Sequence, residues 1–292
     1  MGLYLSQLLK RIETDESIQI PRDVLFDVFA RATTVTSGKK CIFVTNRKYI
    51  NTLDSSVSMV ITTEDISNLI DEDKGLCICD NPRGLFFELL SSYDKGDGLV
   101  KKETVIGMNC NISEKAVISP YNVVIGDNAK IGDFVVIKPN TIIGDNVTIQ
   151  SGAIIAEQDF NVYQYHGITK QVYHSGKVTI GSNVLISSNV LIGQALYSYG
   201  TTKIGDNCFI GASTCIGHNA EIGSGCEICG NSMLGGYCKI GNDTKMFMSV
   251  TIANAIKVGK KATINMGSVV VRDVEDGKTM FGNPAREMIT PK

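Results

Sequence analysis

The sequence predicts a mainly β protein in which a solenoid of six-residue repeats follows a small α/β domain. An aliphatic residue returns at every sixth position from Ile125 to Ile155 and again from Ile204 to Val270. The first 100 residues lack this period and alternate short helical and extended segments. A period of six matches neither a helix nor a simple two-sided strand. It is typical of a coil in which each hexad makes one short strand and one corner.

The repeats predict a triangular prism with an aliphatic interior. Three hexads close one coil, so the segment from Ile106 to Val270 holds roughly 24 hexads, or about eight coils. The fourth residue after each aliphatic one is usually small, as at Ala129 and Cys208. We expect these small residues to let the chain turn at the corners, where Gly, Asn and Asp tolerate unusual dihedral angles.

The period also sets the predicted domain boundaries. Residues 1–100 are predicted to form the small α/β domain. Residues 101–276 are predicted to form the β-helix, and residues 277–292 are a C-terminal extension. In the first domain we expect helices near Tyr4–Glu13 and Pro82–Ser92, with strands near Lys40–Thr45 and Ser58–Thr62.

Two interruptions of the period, 157–177 and 194–203, are predicted as loop insertions on one face of the solenoid. Insertions of this kind commonly form a binding face. The first insertion concentrates aromatic residues and two of the three histidines, which favours a lined site over a plain loop. Its candidate sugar contacts are Phe160, Tyr163, Tyr165 and His166.

Composition excludes several classes of function. The net charge of −2 gives no basic footprint for nucleic acid, and no apolar run approaches the length of a membrane span. Several of the nine cysteines occupy small-residue positions of the repeat, which favours a reduced, cytoplasmic protein. A zinc hydratase on this scaffold needs three histidine ligands. Only His218 lies in the repeat, so no metal site is predicted.

Two motifs carry candidate chemistry. Phe43, Asn46 and Tyr49 are spaced F-x-x-N-x-x-Y, so two aromatic rings can sandwich a flat base while the Asn amide bonds its edge. Two core aromatics and a turn Asn explain the same spacing. His218 stands at the second position after the inward Ile216, so we expect it to face outward. Histidine has an ordinary pKa near 6.5 and suits general-base catalysis.

With these motifs the chain resembles the UDP-3-O-acylglucosamine N-acyltransferases of lipid A synthesis over nearly its full length. The resemblance implies a left-handed coil and a homotrimer with sites between neighbouring prisms. It also implies that Phe43, Asn46 and Tyr49 hold uracil. In the hexad around His218 it implies a catalytic base, and at Gly236 a backbone amide that binds the oxyanion.

The sequence departs from this family at several positions. A second family histidine falls near Asn254, and polar positions before the catalytic histidine fall on Cys215 and Ala212. The family's helical tail for acyl carrier protein is replaced by a G-N-P-A-R ending, which resembles acyltransferases that use coenzyme A. Acyl-CoA is therefore the expected co-substrate, with Lys257 and Arg286 to meet its phosphates, and no permanent cofactor is expected.

Together these features predict an N-acyltransferase that acts on a UDP- or dTDP-linked amino sugar for a surface glycan. Three alternatives stay open. One is the lipid A enzyme itself with a carrier-protein donor, another is a sugar O-acetyltransferase, and the third is a non-catalytic scaffold.

Overall fold

A computed structural model describes residues 2–14, 17–96 and 100–288. The chain divides into two compact units, one of residues 1–100 with 160–173 and one of residues 101–159 with 174–292. The last four residues of the predicted C-terminal extension, 289–292, lie outside the described residues. Within the described part of the chain, no helix has the length and apolar character needed to cross a bilayer.

The first unit is built on a five-stranded sheet. In sheet order its strands are Gln19–Arg22, Gly75–Ile78, Val57–Thr62, Lys40–Val44 and Val28–Phe29. The first pair is antiparallel and the others are parallel. Every residue of the central strand Val57–Thr62 is buried, as expected for a parallel strand covered on both faces. Helical segments are Leu5–Leu9, Glu64–Ser67 and Pro82–Gly96, with a 3-10 helix at Arg47–Thr52.

Part of the first predicted insertion is an ordered β-hairpin of this same unit, which corrects its assignment to a loop of the solenoid domain. Val162–Tyr165 pairs antiparallel with Ile168–Gln171. Arg83 donates a hydrogen bond to the carbonyl of Val162 at 2.8 Å. The aromatic side chains of the hairpin supply the apolar surface that holds it against the first unit.

The second unit is a parallel β-solenoid with three sheets, one of ten strands and two of eight. The ten-stranded sheet runs Asn111–Ile112, Lys130–Ile131, Thr148–Ile149, Leu185–Ile186, Phe209–Ile210, Glu227–Ile228, Lys245–Met246, Thr263–Ile264, Thr279–Phe281 and Arg286–Glu287. A second sheet runs Val117–Ile118, Val136–Ile137, Ile154–Glu157, Leu191–Gly193, Cys215–Ile216, Met233–Leu234, Thr251–Ile252 and Val269–Val270. The third runs Val105–Ile106, Val123–Ile125, Thr141–Ile143, Lys177–Ile180, Thr201–Ile204, Glu221–Ile222, Lys239–Ile240, Lys257–Val258 and so closes the prism.

The predicted mainly β fold is confirmed, and the aliphatic series forms one continuous core. The corner chemistry differs in detail from the prediction. The third residue after an inward aliphatic one takes the left-handed conformation, with φ of 59° at Asn128 and 56° at Asn207. The small fourth residue, such as Ala129 or Cys208, is fully buried inside the prism. Asn at the third position is favoured because its short polar side chain tolerates this region.

Alternation of inward and outward residues predicts a sharp contrast in stability within the strand Glu227–Ile228. Ile228 is 2% exposed inside the core, so Ile228→Ala is expected to lower the free energy of unfolding by about 2–5 kcal/mol. Its neighbour Glu227 lies at the surface and pairs with Lys245 at 3.1 Å. Glu227→Ala is expected to cost less than about 1 kcal/mol. Denaturant melts of both variants measure the difference, and equal costs would contradict the inward assignment.

Candidate active site

His218 and Asp159 form a hydrogen-bonded pair at one corner of the solenoid. The carboxylate Oδ2 of Asp159 accepts the Nδ1–H of His218 at 2.6 Å and its backbone N–H at 2.7 Å. A carboxylate only accepts hydrogen bonds, so this contact places the ring proton on Nδ1 and leaves Nε2 as the basic atom. The side chains are 12% and 20% exposed, so the pair is largely screened from solvent.

The stacking of three strands brings the pair together. Ile155, Ile192 and Ile216 lie in register on successive coils, and the register shifts just after Ile155. Asp159 follows this irregularity and reaches past the intervening coil to His218. Gly193 leaves room for that reach, because a Cβ there would lie 3.1 Å from the His218 nitrogen and 3.2 Å from the Asp159 carboxylate.

Gly236 lies against the imidazole from the next coil. A Cβ on Gly236 would lie 2.6 Å from Cε1 and 2.9 Å from Nε2 of His218. The backbone N–H groups of both neighbouring residues are already hydrogen-bonded. The Gly235 N–H donates to the carbonyl of Ile252, and the Tyr237 N–H donates to the carbonyl of His218. The Gly236 N–H makes no hydrogen bond to another described residue. The Gly236 N–H is therefore open to donate to a bound group, and its role as the oxyanion donor stays a prediction.

Gly236→Ala is expected to lower kcat by about 10- to 100-fold, because the added methyl must displace the imidazole and small misplacements of a catalytic group are costly. The measurement is steady-state kinetics together with the melting temperature. Gly144→Ala is the matched control, since its Cβ would lie 2.6 Å from Ser182 Oγ and 2.8 Å from the carbonyl carbon of Gly181, at another corner of the solenoid. Equal losses of kcat in the two variants would contradict this reading.

Two further aromatic rings pack edge-on against His218. The rings of His174 and Tyr237 each have their centroid 5.2 Å from that of His218. His174 is fully buried, and burial lowers the pKa of its imidazole. The His218 ring is therefore packed between His174 and Tyr237 as well as held by Asp159.

The predicted base-binding residues lie in the first unit, on one strand and the 3-10 helix that follows it. Phe43 packs its ring against the core ring of Phe86, 5.1 Å away. Asn46 caps the 3-10 helix by accepting the Lys48 N–H at 3.0 Å. Tyr49 is 45% exposed. Phe43 and Asn46 thus have local structural roles, and binding of a base by the three residues stays a prediction.

The predicted sugar contacts also lie in the first unit, where the structure places most of them in packing roles. The Tyr163 hydroxyl donates to the Glu88 carboxylate at 2.7 Å and the Tyr165 hydroxyl to the Glu13 carbonyl at 2.8 Å. Both tyrosines are 3% exposed. His166 contacts the same Glu13 carbonyl at 3.3 Å, whereas Phe160 is exposed. Contact of these four residues with a sugar stays a prediction.

The two predicted coenzyme A contacts, Lys257 and Arg286, do not line the same groove. Lys257 lines a groove of about 750 Å³ on the outer face of the solenoid. The groove is also lined by three other lysines and by four carboxylates, which are Lys203, Lys239, Lys260, Glu221, Asp273, Glu275 and Asp276. Arg286 is exposed and donates to the carbonyl of Ala285. No group of three or more His, Cys, Asp or Glu side chains suited to a metal occurs among the described residues.

Asp159 is the residue that sequence reasoning missed. It stood at the edge of the first insertion as part of an aromatic segment, and nothing in the sequence connects it to a histidine 59 residues away. The six-residue period gives the register of Ile155 with Ile216, but the irregularity after Ile155 shifts the residues that follow. The sequence did contain one signal, a carboxylate one or two residues past the end of a regular coil.

Comparison with known proteins agrees with the fold. The model of the bacterial transferase hexapeptide family, six repeats, matches residues 122–157 and 201–236. No curated protein is significantly similar to the chain in sequence. The second matched segment includes both His218 and Gly236.

Solved structures give the same result. The UDP-N-acetylglucosamine acyltransferase of Campylobacter jejuni is 26% identical with a TM-score of 0.57, over 63% of this chain and 69% of that one. LpxA, a UDP-N-acetylglucosamine acyltransferase of Bacteroides fragilis, is 25% identical with a TM-score of 0.56, over 65% and 74% of the two chains. LpxA of Acinetobacter baumannii, at 24% identity and a TM-score of 0.53 over 62% and 72%, shares the fold. The chain is an acyltransferase built on hexapeptide repeats.

Proposed function

We propose that the chain transfers an acyl group from acyl-CoA to the amino group of a nucleotide-linked sugar, with UDP or dTDP as the nucleotide. The observation that carries the transfer step is the Asp159–His218 pair beside the Gly236 N–H. This arrangement supplies a base of fixed tautomer and an oxyanion donor within one corner of the solenoid.

The chemistry follows from these positions. His218 Nε2 removes a proton from the acceptor nitrogen, whose lone pair attacks the thioester carbon. The carbonyl oxygen becomes an oxyanion that accepts a hydrogen bond from Gly236 N–H. The C–S bond then breaks, and the leaving thiolate takes the proton that His218 holds. Asp159 stabilises the imidazolium between the two transfers, and no covalent acyl-enzyme is needed.

The sugar acceptor is supported by the relatives. Two structural neighbours are acyltransferases of UDP-N-acetylglucosamine by name, and the Phe43–Tyr49 segment offers aromatic and amide groups for a base. The acyl-CoA donor is supported by the G-N-P-A-R ending and by the ammonium group of Lys257, which can meet a phosphate oxygen. The groove as a whole is not cationic, because four carboxylates balance its four lysines. We propose a homotrimer, in which outward residues such as His218 face a neighbouring prism.

The names of these relatives favour one second candidate, O-acylation of UDP-N-acetylglucosamine. We pair this candidate with an acyl carrier protein as the alternative donor. The nitrogen of N-acetylglucosamine already carries an acyl group, so further acylation of that sugar falls on a hydroxyl. His218 can deprotonate a hydroxyl by the same route. The two candidates therefore share the base and differ in acceptor and donor.

A matrix of donors and acceptors separates them. Acetyl- and longer acyl-CoA and acyl carrier protein are each combined with UDP-N-acetylglucosamine, a UDP-amino sugar and a dTDP-amino sugar, and thiol release is followed. Products are then treated with hydroxylamine, which cleaves esters and spares amides. We expect hydroxylamine-resistant product from an amino sugar and acyl-CoA. Transfer only to UDP-N-acetylglucosamine would replace the proposal by the second candidate, and no transfer with any pair would overturn both.

A further inference from the structure

His174 is a buried titratable group beside the Asp159–His218 pair that the transfer chemistry does not use. It is the first residue of the second unit after the hairpin, and it is fully buried. Gln158 fixes its backbone from both sides, since the His174 N–H donates to Gln158 Oε1 at 2.8 Å and the His174 carbonyl accepts from Gln158 Nε2 at 3.0 Å. The position of its ring is therefore set by the same chain segment that carries Asp159.

The His174 ring is also fixed in its protonation and tautomer. Its Nδ1 lies 2.9 Å from the carbonyl oxygen of Gln194, and a carbonyl only accepts, so Nδ1 carries the proton. Nε2 is buried without a hydrogen-bond partner among the described residues. Leaving a buried polar atom unpaired costs stability. A carbocyclic ring of the same shape would avoid this cost, so the imidazole at this position calls for an explanation beyond filling space.

The explanation lies in the neighbour of the ring. His174 meets His218 edge-on, with centroids 5.2 Å apart and planes inclined by 73°. His218 must gain a proton during transfer, and a positive charge on a ring so close would oppose this. Burial keeps the His174 ring neutral, and the hydrogen bond to Gln194 holds the ring in place. The ring therefore gives His218 a fixed, uncharged packing surface.

We propose that His174 is a positioning residue that orients the His218 imidazole for transfer and acts through His218 alone. The orientation of the His218 ring then depends on three groups that surround it. Asp159 fixes the tautomer, Gly236 sets the depth of the ring, and His174 sets its plane. This inference rests on the proposed acyl transfer for its kinetic test but not for its spectroscopic one.

Two variants separate the ring from its anchor. His174→Phe keeps a neutral ring and loses the donor to Gln194, whereas His174→Asn keeps a donor near the Nδ1 position and loses the ring. We expect kcat to fall about tenfold in His174→Asn and about threefold in His174→Phe, with KM within about twofold of wild type for both, since a positioning residue acts on the transition state. In a His218→Gln background neither change is expected to lower kcat further, because residues that act as one unit are not additive.

A second measurement needs no substrate. It follows the signal of the His218 Nδ1–H proton in the NMR spectrum of the protein. We expect a sharp downfield signal in wild type that disappears in Asp159→Asn, broadens in His174→Asn and persists in His174→Phe. A folded His174→Asn variant with an unchanged signal and kcat within twofold of wild type would overturn the proposal. So would an equal loss of kcat in the His218→Gln background. Inactive wild-type protein with the expected spectra would instead refute the acyl transfer while supporting the role of His174.

Discussion

Replacement of His218 by glutamine is expected to lower kcat by about 10²- to 10⁴-fold, the usual contribution of a general base. Glutamine keeps polar atoms near the positions of the ring nitrogens but takes no proton at neutral pH. The side chain is mostly buried and stands at a corner outside the aliphatic core, so KM and melting temperature are expected to change little. Initial rates of thiol release with the best donor and acceptor pair measure the effect.

The control for His218→Gln is Lys115→Gln, since Lys115 also pairs with a carboxylate, that of Asp133 at 3.1 Å, at another corner of the solenoid. We expect the control to keep most of the wild-type kcat. A His218→Gln enzyme with more than about a tenth of wild-type kcat would argue against the base assignment and leave the thioester sulfur or water as the proton acceptor. Loss of activity in both variants together with lower melting temperatures would point to unfolding.

Asp159→Asn is the second large effect, and we expect a fall in kcat of about 10²- to 10⁴-fold. An Asn amide can donate to Nδ1 of His218, which favours the tautomer with its proton on Nε2 and removes the basic lone pair from the acceptor. The imidazolium also loses its counter-charge. The shape of the side chain is unchanged, so the loss is expected in kcat with little change in KM.

Asp206→Asn is the matched control for Asp159→Asn, because Asp206 uses its Oδ1 to accept the Ser182 N–H at another corner of the solenoid. That contact needs only an acceptor, which Asn retains, so we expect near-wild-type kcat. The double variant Asp159→Asn with His218→Gln is expected to be no slower than His218→Gln alone. Additive losses would show that Asp159 acts on the reaction by a route other than His218.

The repeat made the solenoid predictable because each hexad specifies the same local structure. An inward residue such as Ile210 has one environment whichever coil it occupies, so the period alone places it in the core. The N-terminal elements were predicted less completely. The strands at Lys40–Val44 and Val57–Thr62 are strongly apolar and were expected, whereas Gln19–Arg22, half exposed and antiparallel at the sheet edge, has no such pattern.

The site was predictable only in the parts that follow the repeat. His218 and Gly236 sit at fixed places in their hexads, so their proximity follows from stacking. Asp159 and His174 reach His218 from either side of an interruption, where register depends on a local irregularity and on tertiary packing. The burial of Tyr163 could not be predicted for the same reason, since it depends on a surface formed by residues far away in the sequence.

The position of the hairpin has a consequence for how this protein can be divided. The chain passes between its two compact units three times, after Val100, after Asp159 and after Tyr173. Exchange of residues 1–100 for another domain would leave Tyr163 without the Phe87 ring and the Glu88 carboxylate, and excision of the hairpin would cut the chain beside Asp159. The two units therefore cannot be recombined as independent modules at a single junction. A change of the first unit in this protein requires a matching change in the middle of the second.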